Sequence, residues 1–138
     1  MKNGSVILEL QRATHATLTV LTDGLADLEL TPSEINALAN LADGVARTVT
    51  ELGSASGTRP ATVTGVLDRL ERRGLITRGT RPGDRRVVVI ELTKDGVHSA
   101  QLILDAVRDL EAKAFVGLPV RHIDAAHVVL RALARTRP

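Results

Sequence analysis

The chain contains no cysteine, no tryptophan and no tyrosine, and its single phenylalanine is Phe115. Without a thiol there is no disulfide framework, thiolate zinc site, cysteine nucleophile or thiol redox sensor. With one aromatic ring the chain cannot build the stacking platform on which single-stranded nucleic acid is read. No apolar run reaches the roughly 18 residues that a membrane-spanning helix needs. The N-terminus lacks the basic start, apolar run and small-residue cleavage site of a secretory signal. The expected location is therefore cytoplasmic, with no membrane partner. Charge of one sign is scarce as well, the net value being only +2.

What is present is a chain of 138 residues, 43% of them apolar, enough for one domain over 1–138 with its own core. The slight net charge hides a sharp segregation. Residues 59–86 hold eight arginines (Arg59, Arg69, Arg72, Arg73, Arg78, Arg81, Arg85 and Arg86) against three acids (Asp68, Glu71 and Asp84). This segment is +5, which leaves the other 110 residues at −3. A basic block on an acidic body is the footprint of a phosphate-binding surface, and equally of a solvated basic face. All eight cations are arginine, whose planar fork suits phosphates and guanine edges.

Apolar residues at three- and four-residue steps predict a long helix over 7–28, with Gly24 weakening its last turn. Thr31-Pro32-Ser33-Glu34 and Thr48-Val49-Thr50-Glu51 read as capping boxes that start two shorter helices. In the second of these, Leu52 and Ala55 are expected to be buried. Ser56-Gly57-Thr58 then forms a short turn, with Thr58 able to cap a helix that runs to about Arg73 and stops at Gly74. That helix has a core stripe of Val63, Val66, Leu67 and Leu70. Its opposite side carries Ala61, Thr64, Gly65, Asp68, Arg69 and Arg72. Strands are predicted over 75–78 and 87–92, joined by the basic tip 81–86. Thr93 caps a second long helix, Gly117-Leu118-Pro119 breaks it, and a last helix follows.

The fold class is thus mainly α with a small β-hairpin. A capped helix, a short turn, a second helix and a basic hairpin over 31–92 make a winged helix-turn-helix, a shape that places its second helix in a DNA major groove. Three functions fit it: a sequence-specific DNA binder, a winged-helix module that meets an acidic protein, and an architectural protein that binds every duplex alike. An enzyme is not expected, since there is no nucleophile elbow, phosphate-cradling glycine loop or metalloprotease motif. No cofactor or metal is expected either. His122 and His127 lie about 140° apart on a helix, and Asp124 with His127 gives only two ligands. His15 and His98 are distant in sequence.

Three segments resemble the MarR family of regulators. Thr58-Arg59-Pro60-Ala61-Thr62-Val63-Thr64, followed by Leu67-Asp68-Arg69-Leu70-Glu71-Arg72-Arg73-Gly74-Leu75-Ile76, is similar to that family's recognition helix and the strand after it. Asp84-Arg85-Arg86-Val87-Val88-Val89-Ile90 is similar to its wing, and Leu92-Thr93-Lys94-Asp95-Gly96 to its strand-to-helix junction. The resemblance implies an obligate homodimer built by helices in 5–28 and 94–136. It also implies binding to palindromic double-stranded DNA near promoters, and relief of repression by a small anionic, often phenolic, effector. One position departs from the pattern: the residue after Thr64, often basic in the family, is Gly65.

On this reading Arg59, Thr62 and Thr64 contact DNA near the start of the recognition helix, where free N–H groups also favour phosphate. Thr62 can instead be a local capping hydroxyl. Arg69 and Arg72 are phosphate candidates, although Arg69 can equally pair with Asp68, Glu71 or a residue on a neighbouring helix. Arg85 and Arg86 belong to the wing, where a narrow minor groove attracts arginine. Asp84 would orient Arg86 by a charge-assisted pair, or would simply hold the hairpin. For an effector site between the terminal helices and the DNA-binding lobe, the polar candidates are Arg12, His15, Asn36 and Asn40.

Overall fold

The structure is a computed structural model that describes residues 4–56 and 59–136. Caps in the sequence set most helix starts. Ser5 Oγ accepts the Leu8 N–H at 3.3 Å and opens α1 (Val6–Gly24). α1 stops at Gly24, short of the predicted 28, and a 3-10 turn (Ala26–Leu28) follows. Leu25 and Leu30 thereby turn inward and are buried. Thr31 and Glu34 close a reciprocal capping box: the Glu34 N–H donates to Thr31 Oγ1 at 3.2 Å and the Thr31 N–H to Glu34 Oε1 at 3.0 Å. This starts α2 (Pro32–Leu41). Thr48 Oγ1 accepts the Glu51 N–H at 3.1 Å at the head of α3 (Val49–Ser56).

α4 (Pro60–Arg72) begins differently. Its cap position is the extended Arg59, which makes no side-chain cap bond. Pro60 sets the start: it needs no N–H partner in the first turn and forces its predecessor out of the helical region. The Thr58 cap and the Gly57 turn expected from the sequence lie outside the described residues. At its other end α4 closes in a Schellman motif, with the Leu75 N–H on Leu70 O at 3.0 Å and the Gly74 N–H on Glu71 O at 2.9 Å.

Two strands follow, β1 (Ile76–Arg81) and β2 (Asp84–Leu92), in one antiparallel pair. Both are longer than predicted, so the expected six-residue tip shrinks to Pro82-Gly83. Gly83 has φ 85°, and proline followed by a left-handed glycine is the type II turn signature. The register runs from Ile76 opposite Leu92 to Thr80 opposite Val88, then slips so that Arg81 faces Asp84. Three residues, Arg85-Arg86-Val87, fall between successive β1 partners. Arg47 adds a one-residue bridge on the far side of β2, exchanging backbone bonds with Ile90 at 3.1 and 2.7 Å. α5 (Lys94–Ala114) and α6 (Val120–Ala134) complete the chain.

One core lies under this unit. The expected α4 stripe Val63, Val66, Leu67 and Leu70 is buried against Ile35, Leu38 and Leu41 of α2 and Leu52 of α3. Ile76 and Ile90 of the hairpin and Ile103 of α5 join it. In α3 the sequence reading needs correction: Ala55 is exposed and Gly53 is buried beside Leu52. α1 and α6 bury no residue at all, although both carry the expected apolar stripes.

The start of α5 is clamped to the end of α4. Thr93 Oγ1 donates to Gly74 O at 2.6 Å and accepts the Gly96 N–H at 3.0 Å, while the Thr93 N–H donates to Leu75 O at 3.1 Å. The Leu75 carbonyl oxygen occupies the space where a side chain at 96 would be, only 1.9 Å from an ideal Cβ there. That atom is backbone, so it cannot rotate aside. Gly96→Ala is therefore expected to lower stability by about 1–3 kcal/mol through overpacking, read as a lower urea midpoint. An unchanged midpoint would show that the junction yields.

Candidate nucleic-acid interface

The eight arginines of the basic segment divide by what they hold. Three are committed to the fold. Arg73 donates to Glu29 O and Leu28 O, both at 2.8 Å, and so satisfies carbonyls at the end of the 3-10 turn. Arg78 on β1 pairs with Asp68 at 2.6 Å and Glu71 at 3.6 Å, tying the hairpin to α4. Arg81 pairs with Glu51 at 3.0 Å and ties the hairpin tip to α3.

The other five, Arg59, Arg69, Arg72, Arg85 and Arg86, are exposed. Arg59, Arg69 and Arg85 make no side-chain hydrogen bond or ion pair among the described residues. Arg72 makes a single 3.3 Å bond to Asp68 O. Asp68 and Glu71, the acids nearest to Arg69 in sequence, are taken by Arg78 instead. The Arg69 side chain lies over Gly65, with Nη1 3.7 Å from where a Cβ at 65 would be. A guanidinium therefore sits beside the position that departs from the family pattern. Thr62 and Thr64 are exposed on the same helix.

At the wing, the Arg86 side chain is 93% exposed. Asp84 Oδ1 accepts the Arg86 backbone N–H at 3.0 Å and stands 3.5 Å from its Nε. Asp84 thus holds the backbone of the slipped segment more firmly than it holds the guanidinium. The register slip, which alternation in the sequence does not reveal, leaves Arg85 and Arg86 opposite no β1 residue.

Behind the reading head, Arg47 fastens α2 to the hairpin. Its Nη1 donates to Asn40 O and Asp43 Oδ1 and its Nη2 to Asp43 Oδ2, each at 2.7 Å. Asn40 Nδ2 in turn donates to Asn36 O at 2.8 Å and Asn36 Oδ1 at 3.1 Å. The Arg47 bonds, with the Val45 N–H, hold the Asp43 carboxyl well below the usual carboxylate range. Arg81 and the Thr48 hydroxyl lower that of Glu51.

A cleft of about 340 Å³ lies between α1, α2 and α5. Leu18, Leu21, Ile35, Ile103 and Val107 form its apolar walls, and Thr14, Thr17, Ser33 and Asn36 supply polar atoms. Of the four effector candidates it takes in Asn36. Arg12, His15 and Asn40 do not line it. Arg12 lies about 170° around α1 from the face that carries Thr14, Thr17, Leu18 and Leu21, and His15 about 110°. Among the described residues no three His, Cys, Asp or Glu side chains group to hold a metal ion, and no helix is long and apolar enough to cross a membrane.

A helix pair, an antiparallel hairpin with an arginine tip and the one-residue third strand at Arg47 define a winged helix-turn-helix protein. Comparison with known proteins places it more closely. Residues 30–88 match the model of the MarR family. The transcriptional repressor NicR of Pseudomonas putida is 29% identical over 101 residues, 73% of this chain and 64% of NicR. The chain therefore spans somewhat less than two thirds of that relative. The crystal structure of NadR in complex with 4-hydroxyphenylacetate superposes with a TM-score of 0.88 at 23% identity, covering 99% of this chain and 97% of NadR. BpsR of Bordetella bronchiseptica, whose DNA binding is regulated by 6-hydroxynicotinic acid, gives 0.76 at 27% identity over 96% and 95% of the two chains. The winged helix-turn-helix segment, residues 30–88, is thus of the MarR type found in transcriptional regulators.

The two lowered carboxyls have a consequence for pH. A group whose folded pKa is depressed adds stability above its unfolded pKa, and that stability is lost as pH falls toward the folded value. Stability is expected to decline as pH drops below about 4, the ordinary carboxylate range. Asp43→Asn should flatten that decline. Urea unfolding across an acid series checks both, and an equally steep decline in Asp43→Asn would remove Asp43 from the account.

Proposed function

We propose that the protein is a homodimeric, sequence-specific repressor that binds palindromic promoter operators in the cytoplasm, and that a small molecule in the α1–α2–α5 cleft releases it. It acts by binding and not by catalysis. The observation that carries this reading is the division of the arginines: three brace the fold, and five stay exposed on α4 and the wing. Arg59, Thr62 and Thr64 at the start of α4 read or approach bases, Arg69 and Arg72 hold phosphates, and Arg85 and Arg86 enter the neighbouring groove. Asp84 shapes the wing segment that presents them.

The terminal helices support the dimer. Val6, Ile7 and Leu8 of α1 and Val120, Val128, Val129 and Leu130 of α6 are exposed. So large an apolar surface on helices that bury nothing within the chain is what a subunit interface covers. Two-fold symmetry would then set two copies of α4 about 10 bp apart on DNA. A bonded path from the cleft supports release: Asn36 holds Asn40, Arg47 holds the Asn40 carbonyl, and Arg47 pairs with Ile90 of the wing strand. The names of the relatives point the same way, since NicR is a repressor and NadR holds a small ligand.

Selection of duplexes from a random pool tests the reading, which expects a palindromic site. An architectural protein would retain all duplexes alike, and a protein-binding module would retain none. Arg86→Ala should weaken operator binding by about 1–3 kcal/mol and relax the outer positions. Arg72→Ala should weaken all sequences similarly and lower the salt slope by about one. Arg73→Ala should lower stability and leave the salt slope unchanged. Asp84→Ala should follow Arg86→Ala more weakly. Tighter binding by Asp84→Ala would leave only a charge effect. In sedimentation the protein should run as a dimer at micromolar concentration, and a monomer with full operator affinity would reject the dimer.

A further inference from the structure

We infer that the effector cleft is built for an uncharged ligand, an apolar molecule with a hydroxyl or carbonyl group, and that it disfavours carboxylates. This rests on the effector reading above and narrows it. The polar rim determines the chemistry. Thr14 Oγ1 donates its proton to Leu10 O at 2.8 Å, and Thr17 Oγ1 donates to Ala13 O at 2.8 Å. Both hydroxyls therefore face a ligand as acceptors. Asn36 Oδ1 is engaged by Asn40 Nδ2, which leaves the Asn36 amide N–H group as a donor. Ser33 can donate or accept. None of the described residues lining the cleft is charged.

Such a rim satisfies a neutral ligand in both directions. A phenol or alcohol donates to Thr14 or Thr17, and a carbonyl accepts from Asn36 or Ser33. A carboxylate presents no donor to the two threonines and brings a charge between Leu18, Leu21, Ile103 and Val107. Removing a charge from water costs far more than removing a hydroxyl unless a counter-ion meets it. The nearest cationic candidate on α1, Arg12, points to the other side of the helix. The anionic effector implied by the family resemblance thus lacks its partner here, while a phenolic hydroxyl keeps one.

Matched probe pairs test this on the full chain: 4-hydroxyphenylacetamide against 4-hydroxyphenylacetate, and benzyl alcohol against benzoate. Titration calorimetry reads affinity, and operator binding is measured in parallel. The neutral member should bind about tenfold tighter or more, the ratio that about 1.4 kcal/mol of unmet desolvation produces. Thr17→Lys, at an exposed position on the cleft wall, should close or reverse that gap, with circular dichroism confirming the fold. A carboxylate that binds as tightly as its neutral partner overturns the inference and leaves ligand-controlled repression standing. An unchanged ratio in Thr17→Lys moves the site out of the cleft and also overturns it. If neither member of either pair binds at millimolar concentration and operator affinity never changes, the inference and the effector reading fall together.

Discussion

The Leu75 carbonyl resting in the space left open by Gly96 is the contact through which the parts of this molecule are fixed to one another. Leu75 ends the Schellman turn of α4, precedes β1 and accepts the Thr93 N–H at the head of α5. The recognition helix, the wing and the longest helix therefore meet within a few ångströms of one backbone oxygen. A side chain at 96 would push α5 away, and α5 carries Ile103 into the core and Val107 to the cleft. Close backbone approach of this kind makes the junction stiff, because no rotamer change can absorb a displacement. Movement of α5 is accordingly passed to α4 and the hairpin as a body.

Charge follows a similar economy. Two of the three acids of the basic segment, Asp68 and Glu71, pair with an arginine that holds the hairpin, and only Asp84 stands beside an outward one, Arg86. Arg78 takes Asp68 and Glu71, and Arg81 takes Glu51 from outside the segment. These pairs are partly exposed and individually modest in energy, but they orient the wing against α3 and α4. They also engage the carboxylates that would otherwise pair with Arg69 and Arg72. Positional support and free positive charge thus come from the same residue type at alternate places in one short stretch.

Much of this was legible in the sequence wherever the determinant was local. The Thr31–Glu34 box, the α4 stripe, the Gly74 stop and the Thr93 cap each depend on residues within one or two turns. What was not legible depended on distant partners. Nothing near Arg73 announces that it binds the carbonyls of Leu28 and Glu29, more than forty residues away. The strands extend past the predicted 75–78 and 87–92 because pairing across the hairpin overrides the weak strand preference of an arginine- and glycine-rich run. The register slip at Arg81 has no periodic signature at all. Arg12 and His15 were attractive effector ligands as residue types, and only the rotation of α1 against α2 and α5 shows which face meets the cleft. Ala55 is exposed against expectation because a helix of two turns constrains its buried face poorly.

The placement of α1 joins the two halves of the proposed mechanism. Its C-terminal half supplies Thr14, Thr17, Leu18 and Leu21 to the cleft, whereas its N-terminal half faces α6 across a groove lined by Val6, Leu10, Ala13 and Val129. No residue of α1 is buried, so the helix is held to its own subunit lightly. In the proposed dimer the groove side of α1 is where the subunits meet, and the cleft side is where the effector enters. A molecule wedged beside Leu18 and Leu21 must then alter the angle between α1 and α5, and a lever of about 28 Å, the length of a 19-residue helix, carries that change to the subunit contact. Because α5 is fixed to α4 at Gly96, the same rotation alters the spacing of the two recognition helices. To lower operator affinity tenfold the effector needs only about 1.4 kcal/mol of preference for the altered spacing. A few hydrogen bonds and a buried ring in the cleft are sufficient for that, so the proposed small and uncharged effector would control a much larger electrostatic association.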